Sequence, residues 1–254
     1  MTLGTVIHRL DSVPSTNDEA LRLVRDGAPH GTAVVAEEQT RGRGTKGRSW
    51  HSPRGRGLYA SFILRWDDPG GLEETFPLLP LAAGLAAAGA VLQSAGVEAL
   101  LKWPNDLVYG RRKLGGILTE SVFRAGAPGH AVVGIGINVN HDEADFPEEL
   151  RSLATSVRLI TGRLGDREEL LARLCQTLES WYNSLRRGAK VEVVRAYEHS
   201  MAFRPGTRVR VETSRDAIRG VYRGLTPQGR LRLERTGRPE FLSFEEIQAL
   251  DWES

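Results

Sequence analysis

The run VEALLKWPNDLVYGRRKLGGILTESVF, residues 97–123, alternates apolar and polar side chains and is rich in β-branched residues, which predicts three strands in close succession. The expected strands are Val97 to Trp103, Asp106 to Tyr109 and Lys113 to Phe123. Pro104 stiffens the first turn, and Gly110-Arg111-Arg112 makes the second. Lys113 opens a strand whose next two interior positions, Gly115 and Gly116, are glycines, so another group must lie against that backbone. Either a neighbouring strand or a ligand could fill the space.

Working outward, Ala131 to Asn138 continues the β pattern, and Gly134-Ile-Gly-Ile-Asn138-Val-Asn140 alternates small and apolar residues before two amides. It contains G-x-G, but it lacks a third glycine and no Gly-rich turn leads into a helix, so a dinucleotide reading is weak. Upstream, small residues predict a closely packed helix over Pro80 to Ser94, capped by Gly96. Strands are expected at Thr5 to Leu10, Ala33 to Glu37 and Leu58 to Leu64, and Ser15 is placed to cap a helix from Thr16 to Arg25, ended by Gly27. After Pro147 the pattern turns helical. Asp166 with Glu169 resembles a capping box, Leu170, Leu171, Leu174, Leu178, Trp181 and Leu185 keep helical spacing, and a short helix over Val191 to Met201 follows.

From about Phe203 short strands appear at Thr207 to Glu212, Ile218 to Leu225, Leu231 to Leu233 and Glu240 to Ser243, separated by turn residues. About fifty residues of this kind suggest a small β-barrel of SH3 type. The expected architecture is an α/β (α+β) domain with a mixed sheet and flanking helices, residues 1–200, followed by an SH3-like domain, residues 201–254.

The chain has 254 residues, 40% hydrophobic and 26% charged, enough to bury a sizeable core. No run approaches the uninterrupted apolar length of a membrane span, and the N-terminus lacks a secretory pattern, so a soluble cytoplasmic protein is expected. Cys175 is the only cysteine, which excludes an intrachain disulfide and Cys-based metal sites. A formal charge of +2 does not by itself imply a nucleic-acid partner, but it comprises 30 Arg and only four Lys. Lys46, Lys102 and Lys113 lie in segments where a compact ammonium can serve in place of a planar guanidinium.

The loop Gln39-Thr-Arg-Gly-Arg-Gly-Thr-Lys-Gly-Arg-Ser-Trp50 alternates glycines with cations. Its backbone can approach a ligand closely and its arginines can neutralise negative charge, which suits a phosphate or acyl phosphate. An RGG-like nucleic-acid segment competes with this, but the loop sits between two apolar strands. Lys102-Trp103-Pro104-Asn105-Asp106 puts polar atoms at a strand end, where a pocket mouth or a plain turn could lie.

In order and combination, Ser15-Thr16-Asn17, the Gly/Arg loop ending in Trp50, Lys102 to Asp106, Lys113 to Glu120 and Gly134 to Asn138 closely resemble the biotin protein ligases. The resemblance implies a catalytic domain followed by an SH3-like one, and ATP-dependent formation of biotinyl-5′-AMP before transfer to a lysine of a biotin carboxyl carrier domain. It assigns Ser15, Thr16, Asn17 and Gln39 to the ureido ring, with Gly42, Arg43, Gly44, Thr45 and Lys113 also around biotin. Gly115 and Gly116 would let biotin lie flat on the sheet. ATP and the adenylate would meet Arg43, Arg48, Trp50, Lys102, Asn105 and Asn138. The catalytic set is Lys113, Arg43, Lys102 and Asp106, with Lys113 pairing first with the biotin carboxylate and then with the α-phosphoryl oxygens. Mg2+ is implied to accompany ATP, without a dedicated metal cage.

One position departs from the family pattern: an arginine commonly follows Gly-Arg-Gly, and here Thr45 does. That predicts a looser hold on the adenylate unless Lys46 compensates. The loop is expected to be mobile until ligands supply contacts. Only 14 residues precede Ser15, so sequence-specific DNA binding is not expected. The strand Ala131 to Asn140 could serve as an edge for sheet pairing, and so for a homodimer. A lipoate ligase or octanoyltransferase of the same fold is the nearest alternative, and a nucleic-acid-binding protein using the Arg-rich C-terminal barrel is a more distant one.

Overall fold

The computed structural model describes residues 2–67, 69–122 and 129–253. Strands β1 (Ile7–Val13), β2 (Ala33–Gln39), β3 (Gly57–Trp66), β4 (Leu100–Lys102), β5 (Asp106–Tyr109), β6 (Arg112–Val122) and β7 (Gly129–Asn138) build a seven-stranded sheet in the order β1-β2-β3-β7-β6-β5-β4. β1 and β2 are parallel and the other neighbours antiparallel, so the sheet is mixed as expected. Helices α1 (Thr16–Arg25), α2 (Pro69–Thr75), α3 (Leu79–Ala95), α4 (Val157–Thr161), α5 (Arg167–Arg186) and α6 (Lys190–His199) accompany it.

The 97–123 run yields its three strands with adjustments. β4 is confined to three residues, β5 has the expected bounds, and β6 reaches Val122, with Phe123 outside the described residues. Ser15 precedes α1 with extended backbone, yet its side chain makes no capping bond. Asp166 accepts from the N–H groups of Glu168 and Glu169, whereas Glu169 turns to Arg173, so only half of the expected capping box forms.

Two expectations are overturned. Strand 131–140 is not an edge, because β7 lies between β3 and β6 and is bonded on both sides. Residues 71–95 are, by length and composition, long and apolar enough to cross a membrane, yet 78% of their most apolar window is buried inside the fold. Alanines and glycines permit this: Gly89 admits Thr177 of α5, whose hydroxyl also bonds to the Ala86 carbonyl at 2.9 Å.

The C-terminal strands β8 (Arg208–Thr213), β9 (Ala217–Leu225), β10 (Leu231–Arg235), β11 (Arg238–Leu242) and β12 (Ile247–Trp252) form an antiparallel sheet in the order β11-β10-β9-β8-β12. β12 had no counterpart in the sequence reading. One hydrophobic core runs through both sheets, from Phe62, Leu81 and Leu101 to Val211, Tyr222 and Leu233. The N–H of buried Trp103 donates to the Gly229 carbonyl at 3.0 Å, tying the strand-end turn to the barrel.

Candidate active site

One cleft gathers the sequence motifs at the ends of α1, β2, β4, β5 and β6, roofed by the Gly/Arg loop and by the segment around β12. Its floor is bare sheet. Gly116 and Gly136 are opposite partners on β6 and β7, and the Trp50 indole lies across both. A methyl group at Gly136 would come within 2.6 Å of Trp50 Nε1, and one at Gly134 would collide with the Asn17 carboxamide. Three glycines thus face the same side of the cleft, and the Trp50 indole and the Asn17 carboxamide lie against their bare backbone, where a side chain could not stand.

At one end of the cleft, Ser15, Thr16 and Asn17 are buried. Gln39 Oε1 accepts from Thr16 N and Oγ1 at 2.8 and 3.1 Å, while its Nε2 donates to Ser52 Oγ at 2.9 Å. Ser61 Oγ lies 2.8 Å from Thr16 Oγ1 and donates to Asn17 Oδ1 at 2.6 Å. This is a dense set of mutually bonded polar atoms on rigid elements. At the other end, Lys113 Nζ is 2.6 Å from Asp106 Oδ1 and 5.3 Å from the centre of the Trp50 ring. Burial lowers the pKa of the neighbouring Lys102 ammonium, with Asp106 acting in the opposite direction, and Lys102 lies 5.4 Å over the Trp252 ring.

Arg43 bonds through Nη2 to Asp18 Oδ1 and Glu120 Oε2, each at 2.7 Å. Lys46 Nζ donates to the Glu245 carbonyl and Arg48 Nη2 to the Gln248 carbonyl, each at 2.7 Å, and Lys46 also sits over the Phe244 ring. The loop expected to await ligand contacts therefore has anchors of its own on α1, β6 and the barrel. Lys46, the residue expected to compensate for Thr45, is engaged by the barrel.

Ser15, Thr16, Asn17, Gln39, Arg43, Gly44, Thr45, Arg48, Trp50, Lys102, Asn105, Asp106, Lys113 and Gly116 all line the cleft. Gly42, Gly115 and Asn138 do not. A methyl at Gly42 would meet the Trp50 carbonyl, and one at Gly115 would meet Gly136 O at 2.8 Å on the opposite face of the sheet. Asn138 is buried, and its amide donates to the Thr155 carbonyl at 3.0 Å and lies 3.5 Å from Lys113 O. It braces the backbone that carries Lys113. Asn105 likewise donates to Ile117 O at 2.8 Å, closing the β5–β6 end.

Sequence reasoning missed the far wall, formed by Phe244, Ile247, Gln248, Ala249 and Leu250. No local pattern marks these residues, because only tertiary packing brings them over the loop. Asp18 and Glu120 were also missed as partners of Arg43. Among the described residues no group of three or more His, Cys, Asp or Glu side chains is placed to hold a metal ion.

The model of the biotin/lipoate A/B protein ligase family matches residues 10–138. The chain is 37% identical over 224 residues to the bifunctional ligase/repressor BirA of Bacillus spizizenii, covering 88% of this chain and 68% of that one. It is 34% identical over 239 residues to the biotin–[acetyl-CoA-carboxylase] ligase of Mycobacterium tuberculosis, covering 90% and 83%. The biotin protein ligase of Aquifex aeolicus, solved in complex with biotin and ATP, superposes with a TM-score of 0.83 at 31% identity, covering 98% of this chain and all of that one.

Proposed function

This chain belongs to the biotin/lipoate A/B protein ligase family, and we propose that it activates biotin with ATP and transfers the biotinyl group to a lysine of a biotin carboxyl carrier domain. The carrying observation is the glycine-floored cleft with a buried polar cluster at one end and Lys113 with Asp106 at the other. The names of the relatives favour biotin over lipoate or octanoate. We assign residues 1–200 to the catalytic unit and 201–254 to the barrel. Use of ATP accords with a cytoplasmic setting.

In this reading the ureido ring meets Thr16, Asn17 and Gln39, and the carboxylate reaches Lys113. A carboxylate oxygen attacks the α-phosphorus, the bond to the β-phosphoryl oxygen breaks, and pyrophosphate leaves. Lys113, held by Asp106, meets charge that gathers on the α-phosphoryl oxygens, and Arg43 and Arg48 offset the phosphates. Lys102, partly desolvated and so strongly felt, adds positive potential at the same end. The carrier amine, having lost a proton, then attacks the acyl carbon, and the bond to AMP breaks. Trp50 covers the adenylate and slows its escape to water.

Mg2+ would neutralise the triphosphate. The acidic side chains of the cleft are paired with its cations, so the donor set fits an ion carried by phosphate oxygens and not a cage of protein ligands. An avidin blot of an apo carrier domain incubated with the protein, biotin and MgATP tests both half-reactions. Biotin attachment that requires all three supports the reading, and a blank blot with a folded carrier refutes it.

A further inference from the structure

In the proposed reaction Asn17 meets the ureido ring and Arg43 the phosphates, and they stand on different elements, yet both donate to the same oxygen. Glu120 Oε2 accepts from Asn17 Nδ2 at 2.8 Å and from Arg43 Nη2 at 2.7 Å. We propose that Glu120 is a positioning residue that sets the Asn17 carboxamide for the ureido group and the Arg43 guanidinium for the phosphates from one carboxylate, an inference that rests on the biotin ligase reading.

The chemistry of the partners supports this. A carboxamide can point either way, and its neighbours decide. Glu120 Oε2 and the Leu118 carbonyl are acceptors, 2.8 and 3.3 Å from Nδ2, while the Ser61 hydroxyl donates to Oδ1. The amide nitrogen is therefore drawn toward β6 and the oxygen toward β3. Asn17 is also pressed onto Gly134, where no side chain could stand.

Arg43 has a long stem on a glycine-rich loop and would otherwise sample many rotamers. Its Nη2 is pinned between Glu120 on β6 and Asp18 on α1, both rigid elements. A guanidinium has five donors, so with both Nη2 hydrogens engaged the Nε and Nη1 N–H groups remain to donate to an anion, each on its own side. Asp18 touches only the Arg43 side of the arrangement. Glu120, with its side chain 26% exposed, touches both.

Biotin-dependent exchange of labelled pyrophosphate into ATP, with the full chain and with biotin and ATP varied separately, tests the proposal. Glu120→Ala should raise both KM values about tenfold, because each donor loses the one acceptor the two share and keeps only Leu118 O or Asp18 Oδ1. Glu120→Gln keeps a neutral acceptor for Asn17 but removes the charge facing Arg43. It should raise the KM for ATP about fivefold and leave that for biotin within twofold. Asp18→Asn should likewise move only the ATP value. Parallel changes in both KM values for Glu120→Gln or Asp18→Asn would overturn the proposal, as would a folded Glu120→Ala with both values within twofold of wild type. If Glu120→Ala does not fold, the other two variants decide. Absence of biotin-dependent exchange in the wild type would instead overturn the biotin ligase reading itself.

Discussion

Lys113 is constrained by Asp106 at 2.6 Å and by the Trp50 ring, so its ammonium is oriented before any reacting charge appears. Preorganised donors of this kind contribute about 3 kcal/mol to a transition state. Lys113→Ala should therefore lower the rate of adenylate formation about a hundredfold, with a smaller change in the KM for ATP, as read by single-turnover release of pyrophosphate. His141 makes a different kind of prediction. It is fully buried against Phe146, neither ring nitrogen has a partner, and burial lowers its pKa to about 4. In the unfolded chain a histidine titrates near 6.5, so between that pH and 4 the unfolded state binds more protons and stability falls as pH falls. The full contribution is present above about pH 6.5. Urea unfolding at pH 7.5 and 5.0 should show a loss of about 2 kcal/mol from this group, and His141→Leu should abolish that part of the loss.

The Gly/Arg loop between β2 and β3 combines freedom with tethers. Glycines give its backbone close approach, a single 3-10 turn spans Thr45–Gly47, and contacts from Arg43, Lys46 and Arg48 fix it to three other parts of the fold. Thr45 lines the cleft without a charge and Lys46 is held by the barrel, so in the proposed reaction the loop would meet the phosphates with one cation fewer than the family pattern. Thr45→Arg should add one charge-assisted hydrogen bond to the adenylate and slow its release about tenfold. Dissociation of preformed biotinyl-5′-AMP, followed by filter binding, measures this directly. An unchanged rate would mean that the position does not reach the phosphate.

The barrel and the large sheet share one core, and several polar ties cross between them. Glu198 on α6 accepts from Leu225 N at 2.6 Å, β4 bonds to the chain at Ser200 and Ala202, and Trp103 donates to Gly229 O. A chain packed in this way should unfold in a single calorimetric transition. Trp103→Phe leaves the Gly229 carbonyl without its donor and should cost about 1 to 3 kcal/mol, measurable as a lower urea midpoint with an unchanged slope. Because Trp103 also lines the cleft, that variant should weaken ATP binding as well.

Strand alternation, glycine caps and helical spacing are local properties, which is why β5, β6, α1, α3 and α5 were legible within a few residues of their ends. The motif residues of the cleft were legible for a similar reason: glycines where backbone must stay bare, and cations beside them, carry their chemistry wherever the chain places them. Neighbours distant in sequence had no such mark. That β7 is interior, that the apolar run 71–95 is buried, that Asn138 braces backbone outside the cleft lining, and that residues 244–250 wall the cleft all depend on which surfaces meet. Those choices follow from burying the two sheets against common helices and against each other, a free-energy balance over the whole chain that no short segment encodes.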